Sequence, residues 1–504
     1  MTADTSRTSH TIAVRAVLLA LGCLTLLVAY TVISRIGFPW EIRWMEGGIL
    51  DIVLHLREGG TLYGPPTWEF TPLIYMPLYY WFSVLVSYVT GPDFFALRLV
   101  SVVSTIAAAW LTGLIAAKET DSKQAGWIAA LLYIGAYKVS GYYFDLARID
   151  ALWVALLLGY YYTARNCPSF AGQLCAAAIA TLAFFTKQAT ALYALPIVLY
   201  LFFTQPSPQR YITPVSGMVM ALAGLAALYI STDGWFMYYI FELPLGHQYQ
   251  WHKLPGIIGN HFIIEFPFIL LLALLGFAKG TQTSERSYWY GLLIFTTITV
   301  ATLTHYMHTG SAPNVLMPLH AGCAILAAIA LSRLQDQQKL YVAAALLLIA
   351  QSALFSFNPA GIIPGDDKTE RNQQLLACIE KLDGPVLITG TGYLSRLAGI
   401  APSATEPAIA DVFRTGVNET NQGMLTDFMA RTNREYYKAV FLKVQLQREL
   451  SSTLEKTYIP LGFNFDINDT AGAYQSNYVW VSKRFADEHP ELMPAEDEFF
   501  CEPG

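Results

Sequence analysis

The sequence predicts a mainly α, polytopic membrane protein. About eleven transmembrane helices, two interfacial helices in the first outer loop and a small C-terminal α/β soluble domain are expected. Three observations predict this. The 504 residues are 54% hydrophobic and only 13% charged, where a soluble domain carries about a quarter charged residues. Apolar runs long enough to cross a bilayer, roughly 18–22 residues each, recur down the chain. Near Gly361 the composition turns polar, and no spanning run follows. The reading divides the chain into a membrane domain, 1–360, and an outer domain, 361–504.

The first apolar run, Ile12 to Ile36, lacks a clean small-residue cleavage site and reads as a retained span rather than a signal peptide. Further spans are expected near 98–117, 125–144, 151–164, 170–187, 189–203, 211–231, 262–278, 288–304, 314–332 and 340–357. The stretch 73–90 is apolar enough to be a twelfth, and basic residues decide against it. With 73–90 outside, the inner segments hold Arg7, Arg15, Lys118, Lys123, Arg165, Arg210, Lys279, Arg286, Arg333 and Lys339. The outer loops beyond residue 98 then hold Arg148, Lys187 and Lys253. A crossing at 73–90 would reverse that excess. It is therefore read as a surface or re-entrant helix, with a cytoplasmic N-terminus and an extracytoplasmic C-terminal domain.

Residues 45–58 form the other expected surface helix. Ile49, Ile52, Val53 and Leu56 follow helical spacing, with Asp51, His55 and Glu58 on an opposite face. Gly59-Gly60 ends it, because glycine tolerates the left-handed turn that closes a helix. In the tail, 385–390, 438–443 and 478–482 read as strands, and 369–382 and 419–437 as helices. The tail holds 21 acidic and 13 basic residues, so most of the net acidity lies there. Among six cysteines there is no CxxC pair. Cys378 and Cys501 are the two in the tail, and a disulfide between them stays open. No basic stripe exists, which excludes nucleic acid as a partner.

Candidate chemistry concentrates in outer loops. Glu46 starts a surface helix directly after the first span. A helix N-terminus favours an ionised carboxylate, which is fit to take a proton from a hydroxyl. The plain alternative is a capping carboxylate. Glu41 and Glu69 support the same argument more weakly. A second cluster, Asp145-Leu146-Ala147-Arg148-Ile149-Asp150, reads either as an ion-paired knot or as a cation held for phosphate. Lys138, Tyr142 and Asp145 are spaced to share one helix face. Lys187-Gln188 places a lysine at the outer end of a span, against the usual bias, which suggests an anion nearby or an interfacial anchor. The aromatic loop with His247, Trp251 and His252, and the pair His305 and His308, suit sugar contact or a membrane interface. Their spacings match no metal-ligand motif, so no metal site is assigned and a divalent cation is not indicated.

At these residues the chain resembles the GT-C class of membrane glycosyltransferases. It is similar to the bacterial protein O-mannosyltransferase and aminoarabinose transferase relatives. The resemblance runs over about residues 12–330, through Trp44-Met45-Glu46-Gly47, Leu62-Tyr63-Gly64, Pro72-Leu73-Ile74-Tyr75-Met76-Pro77 and Ala96-Leu97-Arg98-Leu99-Val100-Ser101. That class carries an acidic motif after the first span, often two acids; here Met45 takes the first place and Glu46 the second. An outer acid after the third span matches Asp145 or Asp150 by position. The resemblance implies an inverting transferase in a bacterial inner membrane. It would move sugar from a polyprenyl-phosphate donor to a hydroxyl on a glycan, lipid or protein acceptor at the outer face. Arg148, Lys187, Lys138 and Arg98 are then candidates for the donor phosphate, with membrane lipid around the donor's tail. Two other readings compete: a lipid or solute transporter, which wants ionisable groups at the midplane, and a non-catalytic glycan-binding subunit, which the outer tail allows.

Overall fold

The structure is a computed structural model that describes residues 2–279, 285–466 and 476–494. The chain folds into two compact units. One comprises Met1–Ile36, Arg98–Leu225 and Gln248–Pro359; the other comprises Gly37–Leu97, Ala226–His247 and Ala360–Gly504.

The first unit is a helical bundle. It holds α1 (Thr2–Ile36), most of α4 (Phe94–Thr120), α5 (Lys123–Gly135), α6 (Asp150–Asn166), α7 (Phe170–Thr186), α8 (Thr190–Thr204) and most of α9 (Gln209–Ser231). Helices Pro267–Lys279, Glu285–Tyr306, Met317–Arg333 and Gln338–Phe355 complete it. Each expected span is thus helical over most of its length. Among the described residues five helices are long and apolar enough to cross a membrane, or six if Trp251–Ile264 and Pro267–Gly276, bent by 76°, form one span. The helix over Pro313–Arg333 is buried from Asn314 to Leu331 and is the core of the bundle, packed by Glu285–Tyr306, α5 and Pro267–Lys279.

One expectation needs correcting. The helix expected over 125–144 ends at Gly135, and the chain then turns. Gly141 (φ 67°) and Tyr142 (φ 64°) are both left-handed, a conformation that a helix cannot continue through. Lys138, Tyr142 and Asp145 therefore do not share a helix face.

In the second unit, α2 (Glu46–Arg57) and α3 (Leu78–Thr90) are the two expected helices of the first loop, and they pack together. Arg57 donates to the carbonyl and hydroxyl of Ser87 and stacks on Tyr88, fixing α2 to α3. Gly59, at φ 87°, supplies the turn after α2. The tail forms a four-stranded mixed sheet in the order β1-β2-β4-β3, from β1 (Val386–Ile388), β2 (Ala439–Lys443), β3 (Tyr458–Asp466) and β4 (Ser476–Ser482). β1 and β2 are parallel, and the other pairs antiparallel. The central β2 buries Val440, Phe441 and Leu442, as a strand covered on both faces must. The edge strand β3 is not among the expected strands. Pro460 and Gly462 interrupt its pattern, and an edge tolerates proline because one side needs no ladder donor. Cys378 is disulfide-bonded, and Cys501 lies outside the described residues.

Candidate active site

Each unit carries one group of candidate residues. In the second unit the chain enters α2 through Met45, a non-glycine residue at φ 80°. This left-handed entry folds the preceding loop back over the helix start. Glu46 is fully buried, and one of its carboxylate oxygens accepts the N–H groups of Ile42 (2.7 Å) and Arg43 (3.2 Å). Glu41, also buried, reaches the other way and accepts the N–H of Gly47 at 3.2 Å. The two acids exchange backbone donors across one turn. Donors of this kind, with the helix N-terminus, favour ionised carboxylates. Gly47 has no room for a side chain: a Cβ would meet Cδ1 of Tyr393 at 2.5 Å.

The other acids of this loop are paired with arginines. Asp51 meets Arg396 Nε at 2.9 Å, and Glu58 meets the same guanidinium at 2.5 Å. Burial pushes the Asp51 carboxyl up to about 7, against the pull of Arg396. Glu69 is ion-paired with Arg431, which also holds Asp427 at 2.8 Å. His247 Nε2 lies 2.8 Å from Asp411, which Arg414 also holds.

The first unit builds its group on a helical hairpin. α6 and α7 are 17 residues each, joined by a short turn, and pack side by side. The start of α6 and the end of α7 therefore lie together. Asp150 opens α6 and Lys187 follows α7, and Lys187 Nζ donates to Asp150 at 2.8 Å. Arg148 Nε approaches the other oxygen of Asp150 at 3.3 Å. All three are buried. Lys187 also stands over the ring of Trp153 (4.8 Å), and Arg148 over that of Tyr143 (5.3 Å). His305 packs edge-on against Trp153, with ring centres 6.3 Å apart. Gln188 follows Lys187 at the same end and is partly buried.

Asp145 belongs to a different contact set. Arg35, in the last turn of α1, pairs with it at 3.2 Å and donates to Tyr137 Oη at 2.9 Å. Tyr137 in turn donates to the other oxygen of Asp145 at 2.9 Å, closing a buried ring of three groups. Arg98, fully buried, points a guanidinium nitrogen at the Arg35 carbonyl, 3.5 Å away. Lys138 donates to the carbonyls of Leu354 and Ser356, away from the Arg148 group. Trp251 and His252 are exposed. His308 bridges to Tyr249 through the backbone. Sequence reasoning misses Arg35. Its signal is a basic residue at the C-terminal end of the first long apolar run.

Among the described residues no group of three or more acids, histidines or cysteines is arranged to hold a metal ion. Residues 72–230 match the family model described as dolichyl-phosphate-mannose-protein mannosyltransferase. The fold matches that of ArnT from Cupriavidus metallidurans bound to undecaprenyl phosphate. The TM-score is 0.58 at 12% identity, over 92% of this chain and 97% of that one. The apo state of ArnT from the same organism gives 0.57 at 12% identity, over 91% and 97%. Over residues 72–230 the chain is thus similar to a glycosyltransferase family, and its fold is that of ArnT. That family is named for the transfer of a mannosyl group to protein. No curated protein matches the sequence. The segment matched by the family model contains Arg98, Asp145, Arg148, Asp150 and Lys187, and Glu46 lies before it.

Proposed function

We propose that this chain is an inverting GT-C transferase. It takes sugar from a polyprenyl-phosphate donor and places it on an acceptor hydroxyl at the outer face of a bacterial inner membrane. The observation that carries the reading is the buried Asp150 between Arg148 and Lys187. Two cations beside one carboxylate leave a net positive charge, which suits a phosphate. That ArnT, whose fold the chain shares, binds undecaprenyl phosphate supports the choice of donor.

Glu46 is the base in this reading. It takes the acceptor's O–H proton as the acceptor oxygen attacks the anomeric carbon from the side opposite the phosphate. The new C–O bond forms as the bond to the phosphate oxygen breaks. Polyprenyl phosphate leaves with that electron pair. Negative charge grows on the leaving phosphate, and Arg148 and Lys187 stabilise it. The leaving group departs as a phosphate, so no general acid is required. A phosphate role for Arg98 and Lys138 is weaker, since both point at backbone carbonyls. In this reading residues 1–360 carry the spans and 361–504 form a soluble domain outside the membrane. The acceptor is a glycan, lipid or protein hydroxyl.

The test is Glu46→Gln in proteoliposomes supplied with polyprenyl-phosphate sugars. Sugar transfer is expected to fall by at least about 100-fold, the scale of general base catalysis, with folding and donor binding retained. Transfer at the wild-type rate would remove Glu46 from the mechanism.

A further inference from the structure

We propose that Tyr393 and Arg396, on the short C-terminal-domain helix Tyr393–Leu397, are positioning residues that set the Glu41–Glu46 pair for turnover. The inference rests on the reading of Glu46 as base. It goes further by giving the C-terminal domain a part in the reaction.

The contacts fall along the whole of α2. At its start, the Glu41 N–H donates to Tyr393 Oη at 3.4 Å. The Tyr393 ring is fully buried and lies where a side chain at residue 47 would stand. Phe94 packs edge-on against that ring, with centres 5.2 Å apart, so the ring cannot swing away freely. Further along, the side chain of Thr405 fills the space beside Gly48, and a Cβ there would lie 2.9 Å from it. In the middle of α2, Asp51 takes Arg396 Nε at 2.9 Å. Just past its end, Glu58 takes the other arm of the same guanidinium. Gly392 completes the fit from the opposite side: a Cβ there would lie 2.9 Å from Asp51 Oδ2 and 2.2 Å from the Ser403 carbonyl.

Glycines on both surfaces let the backbones approach closely, which a loose tether would not need. One guanidinium spanning two acids seven residues apart fixes the rotation of α2 about its axis as well as its height. Rotation matters most for Glu46. Its carboxylate is held by backbone donors of the folded-back loop, so turning α2 turns the carboxylate. A displacement of about 1 Å at a reacting group costs up to about 100-fold in rate.

The experiment uses the full-length protein in proteoliposomes, with kcat, donor KM and Tm measured for Tyr393→Ala, Arg396→Ala, Arg396→Lys and Gly47→Ala. Tyr393→Ala and Arg396→Ala are expected to lower kcat per folded molecule by about 10- to 100-fold while donor KM moves less than about threefold. Arg396→Lys should recover part of the loss, since lysine keeps the charge without the fork. Gly47→Ala should be as impaired as Tyr393→Ala alone. Adding Gly47→Ala to Tyr393→Ala should cost much less than Gly47→Ala does alone, because the ring is gone and only the approach to Glu41 Oε2 at 3.2 Å remains. If Arg396→Ala does not fold, the Gly47 and Tyr393 pair carries the test. Unchanged kcat per folded molecule in Tyr393→Ala, or additive losses in the double variant, would overturn the proposal. Glu46→Gln is assayed beside them. If it stays active, the base assignment has failed instead.

Discussion

Replacing Asp150 by asparagine separates a structural ion pair from a phosphate site. Asp150 is fully buried and receives Lys187 at 2.8 Å and Arg148 at 3.3 Å. Removing one member of a buried charge set costs about 3–5 kcal/mol, mostly because the partners stay buried without compensation. Asparagine keeps the volume and can accept one of the two hydrogen bonds, which places the loss near 3 kcal/mol. At about 2 °C per kcal/mol for a chain of this size, Tm should drop by roughly 6 °C. If the pair serves only the fold, adding polyprenyl phosphate shifts neither protein. If Arg148 and Lys187 hold the donor phosphate, the carboxylate competes with it for the same cations. The Asn variant should then bind polyprenyl phosphate more tightly than wild type, by about tenfold, or about 1.4 kcal/mol. At 100 times Kd the lipid would return about 2.7 kcal/mol of the lost stability. Lys187→Gln should lose stability and affinity together. The assay is thermal unfolding in detergent across a titration of polyprenyl phosphate. The opposite signs on affinity are the signature. Weakened binding in both variants, or an Asn variant as stable as wild type, would refute the reasoning.

Arg35→Met removes a guanidinium from the buried Asp145, both side chains being 1% exposed. A loss of about 3–5 kcal/mol is expected, and Arg35→Met with Asp145→Leu should restore most of it, because an apolar pair fills the site without stranding a charge; Tm of the two variants in detergent checks this. Asp51 gives a pH signature. Its carboxyl is raised from 3.8 to about 7, so the folded state binds the proton more tightly than the unfolded state. The stabilisation is complete below the ordinary carboxylate value and is lost as pH rises through 7. The Tm advantage of wild type over Asp51→Asn should therefore shrink from pH 5 to pH 8, and a constant difference would contradict it.

The helices are legible as long apolar runs, α2 by its helical spacing and by Gly59, and α3 as a further apolar stretch. The limits of that legibility are specific. The apolar pattern runs on to 144 and so groups Lys138 with Asp145, yet the helix stops at Gly135, and Gly141 and Tyr142 turn left-handed. Pro460 and Gly462 hide β3. Asp150 and Lys187 are each visible, but their meeting depends on α6 and α7 being equal in length and antiparallel, which spacing along one helix cannot show. Arg35 pairs across 110 positions with Asp145, and Asp51 across 345 with Arg396. No local pattern carries such information.

These distant partners sort the acids of the first loop by what each can still do. A carboxylate facing a guanidinium has a full opposite charge on it, and accepting a proton means giving up that attraction. Glu58 and Glu69 are in that position, held by Arg396 and Arg431; Asp51 also meets Arg396, but burial outweighs that pull and raises its carboxyl to about 7. Glu41 and Glu46 receive backbone N–H groups, which carry partial charges and hold a carboxylate in place more than they neutralise it. A base must be ionised, oriented and still able to take a proton. Arginine and amide donors both give the first two and both oppose the third, the amides less strongly because their charges are partial. In the proposed mechanism the base is Glu46, whose carboxylate the folded-back loop holds at the left-handed entry made by Met45.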